Sequence, residues 1–189
     1  MLDGGDATGA GAILTVEGVA KTFGGVKAVT DVSLAVPRGS IFSIIGPNGA
    51  GKTSLVNMIS GFYKADHGSI KFNGTELIGK RPNAIAELGV ARTFQNIALF
   101  RGMTTLDNIM TRRNLKMKAN FFAQALYLGP ARAEELKHRE AAERVIDFLE
   151  IQDIRKTPVG RLPYGLQKRV ELGRALAAEP SLLLLDEPM

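Results

Sequence analysis

One octapeptide limits the architecture of this 189-residue chain more than any other feature. Gly46-Pro47-Asn48-Gly49-Ala50-Gly51-Lys52-Thr53 fits the spacing G-x-x-x-x-G-K-[ST] at every fixed position. The short apolar run Ile41-Phe42-Ser43-Ile44-Ile45 precedes it and reads as a strand covered on both faces. A helix is predicted after it, from about Gly51 to Ser60, closed by Gly61. Strand, glycine loop and helix together let successive backbone N–H groups converge on phosphate oxygens, with the helix N-terminus adding partial positive charge. Lys52 then reaches the β- and γ-phosphates, and the Thr53 hydroxyl is a Mg²⁺ ligand. The predicted phosphate-binding set is Gly46, Pro47, Asn48, Gly49, Ala50, Gly51, Lys52, Thr53 and Ser54.

A second apolar run, Leu182 to Leu185, reads as a buried strand and ends in Asp186-Glu187. Beside a phosphate loop, this pair has a division of labour: Asp186 holds Mg²⁺ through water, and Glu187 polarises the attacking water as general base. Between the two motifs the pattern is strand–helix–strand, an α/β fold with a parallel sheet and a helical insertion. Strands are predicted at Ile13–Glu17, Lys27–Val36, Ser69–Phe72 and Gly89–Thr93, with a hairpin turn at Asn73-Gly74. Helices are predicted over 120–127, Arg132–Glu150 and Gln167–Ala178. The middle one presents Leu136, Val145, Ile146 and Leu149 on its apolar side. Pro158, Gly160 and Pro163 mark an irregular link.

Composition narrows the classes. There is no cysteine, which excludes a disulfide scaffold, a thiolate metal site and a cysteine nucleophile. Net charge is +5, enough to favour an anionic ligand and too little to indicate nucleic acid. No apolar run approaches the roughly 20 residues of a membrane helix, and the acidic, glycine-rich start up to about Ala12 reads as a flexible tail rather than a signal peptide.

With these residues in place, the chain from about Leu14 to Pro188 resembles the ATP-binding subunits of ABC transporters. The resemblance implies a P-loop ATPase core with an antiparallel β subdomain and a helical subdomain at about 96–160. It implies that Phe23, in Lys21-Thr22-Phe23-Gly24-Gly25, stacks on adenine. Gln95, in Arg92-Thr93-Phe94-Gln95, would sense Mg²⁺ and the γ-phosphate and link the site to a membrane partner. Leu162-Pro163-Tyr164-Gly165-Leu166 stands where the family has Leu-Ser-Gly-Gly-Gln, matching at Leu162 and Gly165; Tyr164 and Gly165 would contact ATP held by a second subunit. The loss of the Ser hydroxyl leaves backbone N–H groups and the helix dipole to do this.

Phe23-Gly24-Gly25, Gly61-Phe62-Tyr63-Lys64, Val90 to Asn96 and Pro163-Tyr164-Gly165 together are similar to the importers of branched-chain amino acids, with urea or amide importers a near alternative. That implies ATP and Mg²⁺ as cofactors. It implies inner-membrane permease subunits and a second ABC ATPase as partners, a solute-binding protein acting indirectly, and no nucleic acid. It also implies a peripheral location on the cytoplasmic side of the membrane. Two other readings stay open: a soluble ABC-type ATPase acting on nucleic acid or ribosomes, and a truncated fragment that does not hydrolyse ATP. The latter arises because the family continues beyond this point with a D-loop, further strands and a switch histidine. On the family's sheet order, Ile41–Ile45 and Leu182–Leu185 would lack a shared neighbour. His67, His138 and the basic cluster Thr111 to Lys118 are expected to be solvated.

Overall fold

The structure, a computed structural model, describes residues 11–93, 98–114 and 129–186. The chain divides into two compact units, Met1–Leu88 and Gly89–Met189.

The first unit is built on strands β1 (Ala12–Phe23), β2 (Val26–Pro37), β3 (His67–Phe72) and β4 (Thr75–Glu76), all antiparallel in the order β2-β1-β3-β4. β1 and β2 form a long hairpin whose register runs from Ala12↔Pro37 to Phe23↔Val26. The predicted Asn73-Gly74 turn is present: Asn73 has φ 48° and Gly74 φ 77°, the two positive angles that a tight hairpin of matching twist requires. Alternation on β3 buries Ile70 and Phe72 and exposes Lys71. Helix α1 (Lys52–Ile59) buries Leu55, Met58 and Ile59, one face of a 3.6-residue period. A short helix α2 (Pro82–Glu87), with proline in its first turn, buries Ile85.

In the second unit β5 (Val90–Arg92) and β6 (Leu182–Leu184) pair in parallel, Val90↔Leu182 to Arg92↔Leu184. Helices α3 (Thr105–Asn114), α4 (Gly129–Phe148) and α5 (Tyr164–Leu176) share a core of Leu106, Ile109, Ala142, Ile146, Val159, Leu162 and Val170. The irregular link contains two 3₁₀ turns, Gln152–Ile154 and Val159–Arg161. Gly173 lets α5 close on its neighbours, since a Cβ there would lie 3.0 Å from Leu149 Cδ1 and 3.1 Å from Ile109 Cδ1.

The α/β class holds, and five expectations are corrected. Ile41–Ile45 is not a covered strand: it joins no ladder among the described residues, and Ile41 and Ile45 are 100% and 93% exposed. Its apolar side chains need a neighbouring strand, and the described residues give it none. Leu182–Leu184 are half-buried rather than buried, and Leu185 is exposed, because β6 is paired on one edge alone among the described residues. Leu136 points to solvent; Ile146 is buried as expected, and α4 also buries His138, Ala141 and Ala142. His138 is therefore not solvated: its Nδ1 accepts from Arg113 Nε at 3.1 Å. Arg113, from the expected solvated cluster, is itself buried; Nη1 donates to Ala177 O at 3.0 Å and pairs with Glu179 Oε1 at 3.0 Å. His67 is exposed, as expected. The predicted helix over 120–127 lies outside the described residues.

Candidate functional site

The phosphate loop is shaped by glycine where other residues would be strained. Gly49 (φ 83°) and Gly51 (φ 85°) both take left-handed angles. Gly51 is also the N-cap of α1, and a Cβ there would lie 2.2 Å from Ala28 O and 3.1 Å from Val29 Cγ2. β2 thus presses against the loop where the helix begins. Ala50 N bonds Pro47 O at 3.2 Å, closing the turn, and Leu55 N bonds Gly51 O at 2.9 Å, starting the helix. No side chain caps α1 and its first turn holds no acidic residue. An uncapped start of this kind leaves amides able to donate to an anion.

Lys52 Nζ donates to Gly46 O (2.6 Å) and Pro47 O (2.9 Å), so the ammonium lies over the loop whose phosphate it is expected to bind. Thr53 is exposed and Ser54 is half-buried in the first turn. The Thr53 hydroxyl is a hard oxygen donor of the kind Mg²⁺ takes, and so, within the second unit by itself, is the Asp186 carboxylate; each fits the ion.

Phe23 ends β1 and is 39% exposed. Tyr63, just beyond α1, meets it edge to face with centroids 5.0 Å apart and planes at 69°. Lys21 Nζ lies 5.4 Å from the Phe23 centroid. Asp66 fixes this strand end by accepting from Lys21 Nζ at 2.7 Å and from Thr22 N at 2.8 Å. The Lys21 hydrogen bond, then that from Thr22, holds the Asp66 carboxyl below its ordinary value. Tyr63 was not among the predicted site residues. The signal that could have found it is an aromatic pair, Phe62-Tyr63, directly after the phosphate-loop helix.

In the second unit, Pro163 is the N-cap of α5, so Tyr164 and Gly165 form its first turn rather than a free loop. Tyr164 is 65% exposed, with Lys168 Nζ 5.8 Å from its ring centroid. Nothing lies within 4 Å of where a Gly165 Cβ would stand. Asp186 follows β6, and its Oδ2 accepts from Arg92 Nη2 at 3.2 Å. Gln95 and Glu187 lie outside the described residues. The structure brings together Gly46 to Ser54 in one unit and Arg92 with Asp186 in the other.

The match to known proteins covers the same span. The family model described as ABC transporter matches residues 29–189. The chain is 39% identical over 177 residues to the high-affinity branched-chain amino acid transport ATP-binding protein BraF of Pseudomonas aeruginosa, covering 93% of this chain and 69% of that protein. It is 36% identical to LivG of Salmonella typhimurium, a protein of the same description, with the same coverage of both chains. Among solved structures, a nucleotide-free ATP-binding cassette from an ABC transporter superposes with TM-score 0.77 at 34% identity, covering 94% of this chain and 70% of that one. The ADP conformation of another such cassette gives TM-score 0.77 at 33% identity, covering 94% and 69%. The phosphate loop and the strand ending in Asp186 fall inside the matched span, and the chain belongs to the ABC transporter family, as one of its ATP-binding ATPase cassettes.

Proposed function

We propose that the chain binds and hydrolyses ATP to power an importer of branched-chain amino acids. The observation that carries the nucleotide part is the loop around Gly51: left-handed glycines, an uncapped α1 and Lys52 folded over Gly46 and Pro47. The substrate class rests on the described activities of BraF and LivG. No helix among the described residues is long and apolar enough to cross a membrane, so the transport path would belong to permease subunits.

The roles follow from the chemistry of each group. Amides of the phosphate loop and Lys52 hold the β- and γ-phosphates. Phe23, with Tyr63 at its edge, offers a half-exposed ring for the adenine to stack on. Thr53, Gln95 and Asp186 would hold Mg²⁺, which when bound neutralises phosphate charge. Glu187 orients and deprotonates the attacking water. Tyr164 and Gly165, exposed at the start of α5, face the ATP of a second ABC ATPase. Catalysis of this type is positioning and charge stabilisation, with little covalent chemistry from the protein.

The test is a thermal melt of the chain with and without Mg-ATP. Ligand at 100 times Kd should add about 2.7 kcal/mol. A shift seen in the wild type and lost in Lys52→Ala supports the nucleotide reading; a melt blind to Mg-ATP sinks it. Co-purification with membranes supports the importer, whereas ATP turnover stimulated by RNA or DNA would overturn it.

A further inference from the structure

Arg92 ends β5, and Asp186 stands two residues beyond β6, the strand paired with it. The ladder fixes both: Arg92 is in register with Leu184, and Thr93 N donates to Leu184 O at 3.0 Å. Arg92 Nη2 reaches Asp186 Oδ2 at 3.2 Å, with the two side chains only 8% and 12% exposed. A carboxylate so far removed from water requires a counter-charge, and Arg92 supplies one. A guanidinium and a divalent cation draw on the same carboxylate lone pairs, so the two compete for Asp186. The adjacent Thr93 hydroxyl is buried and meets no hydrogen-bond partner among the described residues. This strand end therefore holds polar capacity that the present arrangement leaves unused.

We propose that Arg92 is a positioning residue: it holds Asp186 as counter-ion before metal arrives, and yields part of that bond when the Mg²⁺–nucleotide complex binds. The inference rests on the reading of Asp186 as the metal-associated carboxylate.

Mn²⁺ is the probe, its binding read by electron paramagnetic resonance in the presence of ADP, so that no turnover is needed. Removing a buried cation beside the carboxylate strengthens its hold on a divalent ion. Arg92→Gln should bind Mn²⁺ about tenfold more tightly, equivalent to about 1.4 kcal/mol. Its affinity for ADP in EDTA should match the wild type. Arg92→Lys keeps the charge and loses the planar fork, so it should fall between. Mn²⁺ affinity in Arg92→Gln that is unchanged or weaker, while Lys52→Ala still abolishes binding, overturns this inference and leaves the nucleotide reading standing. Wild-type chain with no Mn²⁺–ADP binding that Lys52→Ala removes overturns both. Should Arg92→Gln fail to fold, Arg92→Lys decides: tighter Mn²⁺ binding than wild type supports the inference, and equal affinity overturns it.

Discussion

Two helices of this chain begin where a nucleotide phosphate is expected, and they are built in opposite ways. The start of α1 is enclosed by its own unit: Gly51 sits against Ala28 O with no room for a methyl group, and Lys52 closes over the loop. The start of α5 is open, with Tyr164 exposed and free space around the Gly165 α-carbon. Neither has a side-chain cap. The difference separates a cradle completed by local contacts from a half-site that needs another surface. It predicts that substitutions at the two glycines will act with different size and sign.

The largest effect is expected at the closed end. Gly51→Ala puts a Cβ 2.2 Å from a backbone oxygen, at a φ of 85° that L residues rarely adopt. Backbone strain plus forced displacement of β2 should cost about 3 kcal/mol. Denaturant unfolding measures it, and a loss below about 1 kcal/mol would show that the cradle can relax and is not closed in the sense claimed.

The open end of α5 is held from its far end, which gives the next prediction. Arg113 ties α3 to Ala177 O just past α5, to His138 on α4 and to Glu179. Arg113→Met removes the Arg113 donor from Ala177 O and from His138 Nδ1, at a cost of about 2 kcal/mol. Glu179 is mostly exposed and adds little. Hydrogen exchange at α5 should rise more than at α1. Equal rises would mean that α5 is not separately anchored.

A smaller effect bears on the sheet that supports α1. Glu76 of β4 accepts from Ser69 Oγ at 2.5 Å and from the amides of Ile70 and Ile78 at 3.0 Å each. Burial pushes its carboxyl up, but the Ser69 hydroxyl and the amides of Ile78, Ile70 and Leu77 outweigh that and hold it below its ordinary value of 4.5. A lowered carboxyl stabilises the fold above pH 4.5 and loses that contribution as pH falls through the lowered value. Glu76→Gln should cost about 1 kcal/mol at neutral pH, discounted for its partial exposure. It should also flatten the acid limb of the stability profile. An acid limb identical to wild type would remove Glu76 from the account.

What could be read from sequence follows the range of the contacts involved. The Gly46–Thr53 loop and the Asn73-Gly74 turn are set by neighbours a few residues away, and both were legible. Ile41–Ile45 has the composition of a covered strand, but cover depends on a distant strand, and composition cannot supply one. His138 looked solvated because its sequence neighbours are charged. Its actual surroundings come from Arg113, 25 residues earlier, on another helix. Tyr63 and the Arg92–Asp186 pair are likewise contacts across strands and turns, 94 residues apart in the second case. The Arg92–Asp186 pair leaves no local pattern, and Tyr63 is marked only by the aromatic pair Phe62-Tyr63 after α1. Phe23, Gln95 and the Tyr164-Gly165 start of α5 entered through the family resemblance rather than through chemistry visible in the residues themselves.

The smallest expected effect is the sharpest check on the opening contrast. Gly165 lies in the first turn of α5, and its added Cβ would meet no atom within 4 Å. Gly→Ala in such a helical position removes backbone freedom from the unfolded chain, so Gly165→Ala should stabilise by about 0.5 kcal/mol. Binding of Mg-ATP by the isolated chain should be unchanged, because the loop around Gly51 is complete without α5. In a two-subunit assembly the same methyl group would stand on the face proposed for the second subunit's ATP, and turnover should fall while binding persists. The two glycines then separate cleanly: one change damages the fold and with it the site, and the other leaves both intact until a partner is present. If Gly165→Ala weakens Mg-ATP binding by the isolated chain, the start of α5 is not an open half-site, and the contrast between the two helices fails.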